Sequence, residues 1–212
     1  MSPPAAPLED DELVWYASYG SNCLGERFAA YLTGGRAPGA STDERGARDP
    51  SPPLASAAMW FPRPARFAGD SAKWGSGGVA FLDHAGDGSA PGRRYLVTKG
   101  QFDDVTAQEN RRETVPLPLH DLEIGEVRVI GEGFYGGLLA LAPVDGIPVV
   151  TFTSPHPIVP RPVNPPSAAY LGTIIRGLLQ VHDVPADELG AALHRCPGVA
   201  DGWTPETIAA LA

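Results

Sequence analysis

Near the N-terminus, Val14-Trp15-Tyr16-Ala17-Ser18-Tyr19 reads as an apolar strand that breaks abruptly at Gly20-Ser21-Asn22, and a helical pattern follows over 24–32. A strand that becomes a helix through small residues leaves several backbone N–H groups free and pointing one way. Such a turn is a ready cradle for a carboxylate or a developing oxyanion. It holds few side chains able to do chemistry, so a reacting group has to come from elsewhere in the chain. The candidate is Glu109.

The remaining pattern places that turn in a mixed α+β chain. Residues 13–18 read as a strand and 24–33 as a helix ended by Gly34-Gly35. Residues 36–53 are rich in Gly, Pro, Asp and Arg and predict a long surface loop of the kind that often serves binding. One or two strands are expected over 55–69 and a buried strand over 77–83. Turn signals at Gly86-Asp87-Gly88 and Pro91-Gly92 then precede a strand over 94–98. Thr98 with Gln101 three positions on is a capping box for a helix over 99–113, on which Phe102 and Val105 face the core and Glu109 shares roughly that face. Three further strands are expected over 127–130, 137–142 and 148–153, the last two joined as a hairpin around Val144-Asp145-Gly146. Residues 155–166 are Pro-rich and extended, and helices are expected over 168–181, 186–194 and 204–211. No internal repeat is found. The order suggests an α+β fold with a curved, closing sheet in a single domain over 13–212, after a flexible acidic arm over 1–12.

Composition removes several function classes. A net charge of −9 and no basic stripe interleaved with aromatics argue against a nucleic-acid partner. Cys23 and Cys196 make neither a disulfide framework nor a metal-ligand spacing, and the five histidines are scattered, so no metal is expected. No apolar run reaches membrane-spanning length and the N-terminus lacks a signal-peptide pattern, which leaves no membrane partner and a cytoplasmic location as the expectation. The oligomeric state stays open, a homodimer included. No P-loop, dinucleotide fingerprint or nucleophile elbow is present, and no cofactor is implied.

Four stretches in order carry a resemblance. Tyr16-Ala17-Ser18-Tyr19-Gly20-Ser21-Asn22 resembles the (F/Y)-x-A-Y-G-S-N-L signature of the γ-glutamylcyclotransferase and AIG2-like superfamily. Trp74-Gly75-Ser76-Gly77-Gly78-Val79-Ala80 is similar to its Gly-Gly-apolar strand. Gln108-Glu109-Asn110 is similar to its Gln-Glu-Gly, and Pro165-Pro166-Ser167-Ala168-Ala169-Tyr170 to its later Pro-rich stretch ending in a substrate-contacting tyrosine. The resemblance spans roughly residues 13 to 180. It implies a small mixed β-barrel with flanking helices, and a cofactor-independent lyase or acyltransferase that closes a γ-glutamyl amide or dipeptide into 5-oxoproline and frees an amine. Glu109 would be its general base, with Tyr16, Tyr19, Gly20, Ser21, Asn22 and Tyr170 around the γ-glutamyl substrate. The chain departs from the pattern at Ser18, usually Ala, at Cys23, usually Leu, and at Asn110, usually Gly. Phe152 falls where eukaryotic members place an active-site tyrosine, and residues 36–53 look like an insertion.

Each assignment has a plainer counterpart. Glu109 can be a solvent-facing helix residue paired with Arg112, one turn away. Ser21 or Asn22 can serve as a helix N-cap, and Tyr170 as an amphipathic core tyrosine. Cys23 can be a small buried hydrophobe or a thiol nucleophile paired with one of the histidines. The whole chain can be a non-catalytic module that binds a small carboxylate on the same fold.

Overall fold

In the computed structural model, residues 8–212 are described except for 38, 39, 41, 85, 159 and 160. Leu13–Ser18 forms strand β1, buried from Val14 to Ser18 without alternation because the strand is central and both faces are covered. Ala55–Phe61 (β2), Ala65–Ala68 (β3), Val79–Leu82 (β4), Ala90–Thr98 (β5), Val127–Val129 (β6), Gly137–Val144 (β7) and Ile147–Thr153 (β8) supply the other strands. Six of them make one mixed sheet in the order β2-β5-β1-β8-β7-β6, while β3 and β4 form a separate two-stranded ribbon. Within the large sheet β1 runs parallel to β8 and antiparallel to β5. The helices are α1 (Gly25–Thr33), α2 (Lys99–Glu109), α3 (Ala168–Leu179), α4 (Ala186–His194) and α5 (Pro205–Ala209). Among the described residues no helix is long and apolar enough to cross a membrane.

Successive residues of β1 feed two cores on opposite sides of the sheet, as the pleat requires. Trp15 and Ala17 pack with the ribbon and α3–α5, through Phe67, Phe81, Ile174 and Leu189. Val14 and Tyr16 pack with α1 and α2, through Phe28, Phe102 and Val105. The first turn of β1 into α1 therefore lies where the two cores meet.

The expected α+β architecture with a mixed sheet is present, but the hydrogen-bonded ladders close no barrel among the described residues. The ribbon is tied to the sheet by side chains instead. The Thr153 hydroxyl donates to the Leu82 carbonyl (2.8 Å) and the Tyr135 hydroxyl to the Ala80 carbonyl (3.2 Å). Those carbonyls are the ones a neighbouring strand would need.

Pro91 and Gly92, expected in a turn, lie inside β5 opposite Trp60 and Met59. Proline is tolerated there because the pairing with β1 ends at Arg93, so no N–H is required on that side. The hairpin around residues 144–147 is as expected, with Asp145 (φ 52°) and Gly146 (φ 78°) both left-handed between the paired Val144 and Ile147.

Helix α2 ends at Glu109, short of the expected 113. Residues 1–7 of the expected arm lie outside the described residues, but Asp10 and Glu12 are anchored. Their carbonyls accept from Gly100 N–H (2.9 Å) and Lys99 N–H (2.8 Å), two donors that open α2. Helix α2 itself presents no solvent face over its first nine residues, from Lys99 to Ala107. Its buried charges are paired: Lys99 with Asp103 (2.6 Å) and Asp104 with Arg48 (3.1 Å). The capping box of Thr98 and Gln101 is formed as the spacing predicts.

Candidate active site

The strand-to-helix bend is a 3₁₀ turn, Ser21–Cys23, opened by Gly20 with no side-chain cap. Leu24, again without a side-chain bond, opens α1. Neither Ser21 nor Asn22 therefore caps a helix, and both side chains reach elsewhere. The Ser21 hydroxyl accepts from Arg27 Nε (3.1 Å). Asn22 Nδ2 donates to the Tyr16 hydroxyl (3.1 Å) and to Glu109 Oε1 (3.0 Å). Donation to a carboxylate fixes which way the Asn22 amide points. Its Oδ1 is left buried with no donor among the described residues.

Glu109 is the last residue of α2 and partly exposed to a cavity of about 920 Å³. Residues 19–22 line the same cavity. No ion pair to Arg112 is found among the described residues, and the Arg112 guanidinium instead donates to the Ile130 carbonyl (2.7 Å). Asn110, in place of the glycine of the resemblance, closes the helix by donating to the Thr106 and Tyr135 carbonyls (3.0 and 3.1 Å). The left-handed residue then falls on Arg111 (φ 51°).

Tyr170 starts α3, whose Ser167 cap accepts from its N–H. The Tyr170 hydroxyl receives Ala80 N–H (3.2 Å) and lies against the Gly20 bend, where a Cβ on Gly20 would stand 3.0 Å from it. Burial pushes its pKa up to about 12, so the group stays a neutral donor. Tyr19 lines the cavity but donates its hydroxyl to the Phe152 carbonyl (2.7 Å). Tyr16 is raised well above the ordinary tyrosine range, first by burial and then by the Glu109 charge. Phe152 stacks on Tyr16 (5.2 Å) and meets Tyr135 edge-on (5.5 Å). Tyr135 also lines the cavity, with its hydroxyl on the Ala80 carbonyl.

Sequence reasoning missed a second, cationic end of the cavity. Arg27 from α1 is only 2% exposed, lying 5.3 Å from both the Tyr31 and Trp74 ring centroids. Its Nη2 donates to the Tyr31 hydroxyl (3.1 Å) and to Glu44 Oε1 (3.3 Å), and Lys73 Nζ donates to that same oxygen (3.0 Å). Burial works against the guanidinium charge, but Tyr31, Glu109 and Glu44 together hold its pKa above the ordinary value. Nη1 has no acceptor among the described residues. A buried donor left without a partner costs about 1–3 kcal/mol, and more when charged.

Glu44 belongs to the 36–53 stretch expected to be a surface loop. That stretch is bound to the site instead: Gly35 and Glu44 form a bridge, and Gly46 N–H donates to Gln108 Oε1 (3.1 Å), one residue before Glu109. Residues 38, 39 and 41 of it lie outside the described residues.

Cys23 is fully buried, with its thiol donating to the Ser18 carbonyl (3.3 Å). Burial pushes its pKa up to about 12 and that of Cys196 up to about 11. Both stay protonated far above neutral pH and are poor nucleophiles. Iodoacetamide at pH 8 is expected to leave both thiols unmodified in the folded chain, by mass, and Cys23→Ala to remain active. Prompt alkylation with loss of activity would restore the thiol mechanism.

No protein-family model matches the chain. Histone deacetylase 5 of Arabidopsis thaliana is 32% identical over 185 residues, a stretch covering 79% of this chain. The chain spans only 28% of that relative's length. Two solved structures are similar throughout. One is a γ-glutamyl cyclotransferase, at TM-score 0.53 and 17% identity, covering 95% of this chain and 100% of that one. The other is a human protein described as uncharacterised, at TM-score 0.54 and 19% identity, covering 93% of this chain and 96% of that one. The chain has the γ-glutamyl cyclotransferase fold.

Proposed function

We propose that the chain is a γ-glutamyl cyclotransferase that needs no cofactor. It would act on a γ-glutamyl amine or dipeptide and release 5-oxoproline. The observation that carries this reading is the 3.0 Å hydrogen bond between Asn22 Nδ2 and Glu109 Oε1. It brings an acid from the end of α2 onto the bend that ends β1, inside one cavity. A buried acceptor, Asn22 Oδ1, faces no donor beside that carboxylate. An ammonium satisfies both.

A γ-glutamyl amide contains its own nucleophile. The Glu109 carboxylate takes a proton from the α-ammonium, and the freed amine attacks the γ-carbonyl carbon. The carbonyl oxygen gains negative charge, for which the N–H groups at residues 20–22 and the Tyr170 hydroxyl are the available donors. The bond to the departing nitrogen then breaks. Both protons shed by the nucleophile end on the departing amine, which leaves as an ammonium, and Glu109 is again a carboxylate. Holding the chain folded supplies much of the acceleration, with effective molarities on the order of 10⁵–10⁸ M in good cases.

Incubation with a panel of γ-glutamyl amines and γ-glutamyl dipeptides, with chromatography for 5-oxoproline, tests this. Release from at least one class is expected, and the preferred class identifies the departing amine. The departures at Asn110 and Phe152 favour a second reading, a binding module for a small carboxylate. Thermal stabilisation by glutamyl compounds with no 5-oxoproline from any member would replace the first reading with the second.

A further inference from the structure

The cavity is too large to be explained by a glutamyl head alone, since sites of roughly 300–1,000 Å³ take drug-sized molecules and this one holds about 920 Å³. It holds charges of both signs. Glu109 stands at the Asn22 side of the bend, while Arg27 stands at the Ser21 side, bonded to the Ser21 hydroxyl. Adjacent residues of one turn therefore hold a carboxylate and a guanidinium, and each end carries an orphaned polar atom. Asn22 Oδ1 lacks a donor and Arg27 Nη1 lacks an acceptor among the described residues.

Glu44 does not quench Arg27. It offers one oxygen, Oε1, to two cations, and Lys73 at 3.0 Å is closer than Arg27 at 3.3 Å. Two positive groups share that one oxygen, so Glu44 alone does not match them, and the Glu109 charge acts on Arg27 as well. Arg27 is also held by the Tyr31 and Trp74 rings, each 5.3 Å from its guanidinium carbon, and by its bond to the Tyr31 hydroxyl. A rigid, buried guanidinium with one free donor suits an anionic oxygen better than any neutral group.

We infer that Arg27 anchors a carboxylate of the bound molecule through Nη1, and that Lys73, by sharing Glu44, keeps the guanidinium available for it. The inference rests on the proposed reading only for the class of molecule. Two carboxylates could fill the place, the α-carboxylate of the glutamyl head or one on the departing amine. Lys73 acts through Glu44 and is a positioning residue.

Calorimetric titrations on the full chain separate the sources. 5-Oxoproline and its carboxamide probe the head. γ-Glutamylalanine and γ-glutamylmethylamine, titrated into the Glu109→Gln chain so that nothing turns over, probe the departing amine. Tighter binding of the acid within the first pair assigns the head carboxylate, and within the second pair the other one. Arg27→Gln should abolish the acid preference, a loss of roughly 10- to 100-fold for a hydrogen bond to a charged group. Lys73→Met, at a quarter-exposed site, should weaken acid binding about 5-fold or less. Glu44→Gln should strengthen it. Should Arg27→Gln not fold, the opposite signs of the other two carry the test.

Equal binding of acid and amide in both pairs, or no response to Lys73→Met and Glu44→Gln, overturns the inference. A chain that binds carboxylate through Arg27 but makes no 5-oxoproline loses the reaction and keeps this subsite. A chain that turns over while binding acid and amide alike does the reverse.

Discussion

Glu109→Gln is expected to lower 5-oxoproline formation by at least 10²- to 10⁴-fold, the range for losing a positioned general base, while leaving the melting transition nearly unchanged. Glutamine keeps the shape of the side chain, and its carbonyl oxygen can still accept from Asn22 Nδ2. The residue is partly exposed and makes no direct ion pair among the described residues, so losing its charge should cost the fold little. What disappears is the ability to take a proton from the α-ammonium. Rate assays together with thermal melts check both halves. A variant that still turns over removes the mechanism. One that melts far below the parent makes Glu109 a structural residue.

Gly177→Ala is expected to be among the most damaging single methyl additions to the site's supporting helix. Gly177 lies on the face of α3 that meets the bend, and a Cβ there would fall on the backbone of Cys23 and Leu24. Backbone cannot swing aside as the end of a long side chain can. Either α3 moves out, taking Tyr170 with it, or the 3₁₀ turn shifts and carries Ser21 and Asn22 away from Arg27 and Glu109. Overpacking of this kind costs typically 1–3 kcal/mol. For a chain of this length that lowers the melting temperature by roughly 2–10 °C. Circular dichroism melts measure it directly, and the surviving folded fraction should bind 5-oxoproline more weakly. An unchanged melting temperature would mean that α3 and the bend are not in the contact described.

The parts of the site legible in the sequence were those written in backbone punctuation. Gly20-Ser21-Asn22 interrupts an apolar run, Thr98 and Gln101 mark the start of α2, and Ser167 precedes α3, so the positions of the bend, Glu109 and Tyr170 could all be placed. The cationic end escaped because it is built from side chains that look like surface residues. Arg27 was nonetheless discoverable by the argument applied to Glu109. It lies four residues before Tyr31 on a helix whose Phe28 and Tyr31 face the core, so its charge had to point inward and find partners. Glu44 and Lys73 carried no such signal. Residues 36–53 have no periodicity, and what draws Glu44 inward is a long-range ion pair that no local pattern encodes. The same limit applies to the barrel. Strands could be read one by one, but the join between ribbon and sheet rests on the Thr153 and Tyr135 hydroxyls, whose distant partners a single sequence does not specify.

A crystal structure of the chain soaked in 5-oxoproline tests most directly whether one small molecule meets both the acid and the bend. The lactam nitrogen is expected within hydrogen-bond reach of Glu109 and Asn22 Oδ1, with the ring carbonyl directed at residues 20–22 and Tyr170. Density for the lactam at another place on the molecule, with the cavity between Glu109 and the bend unchanged, would contradict the account.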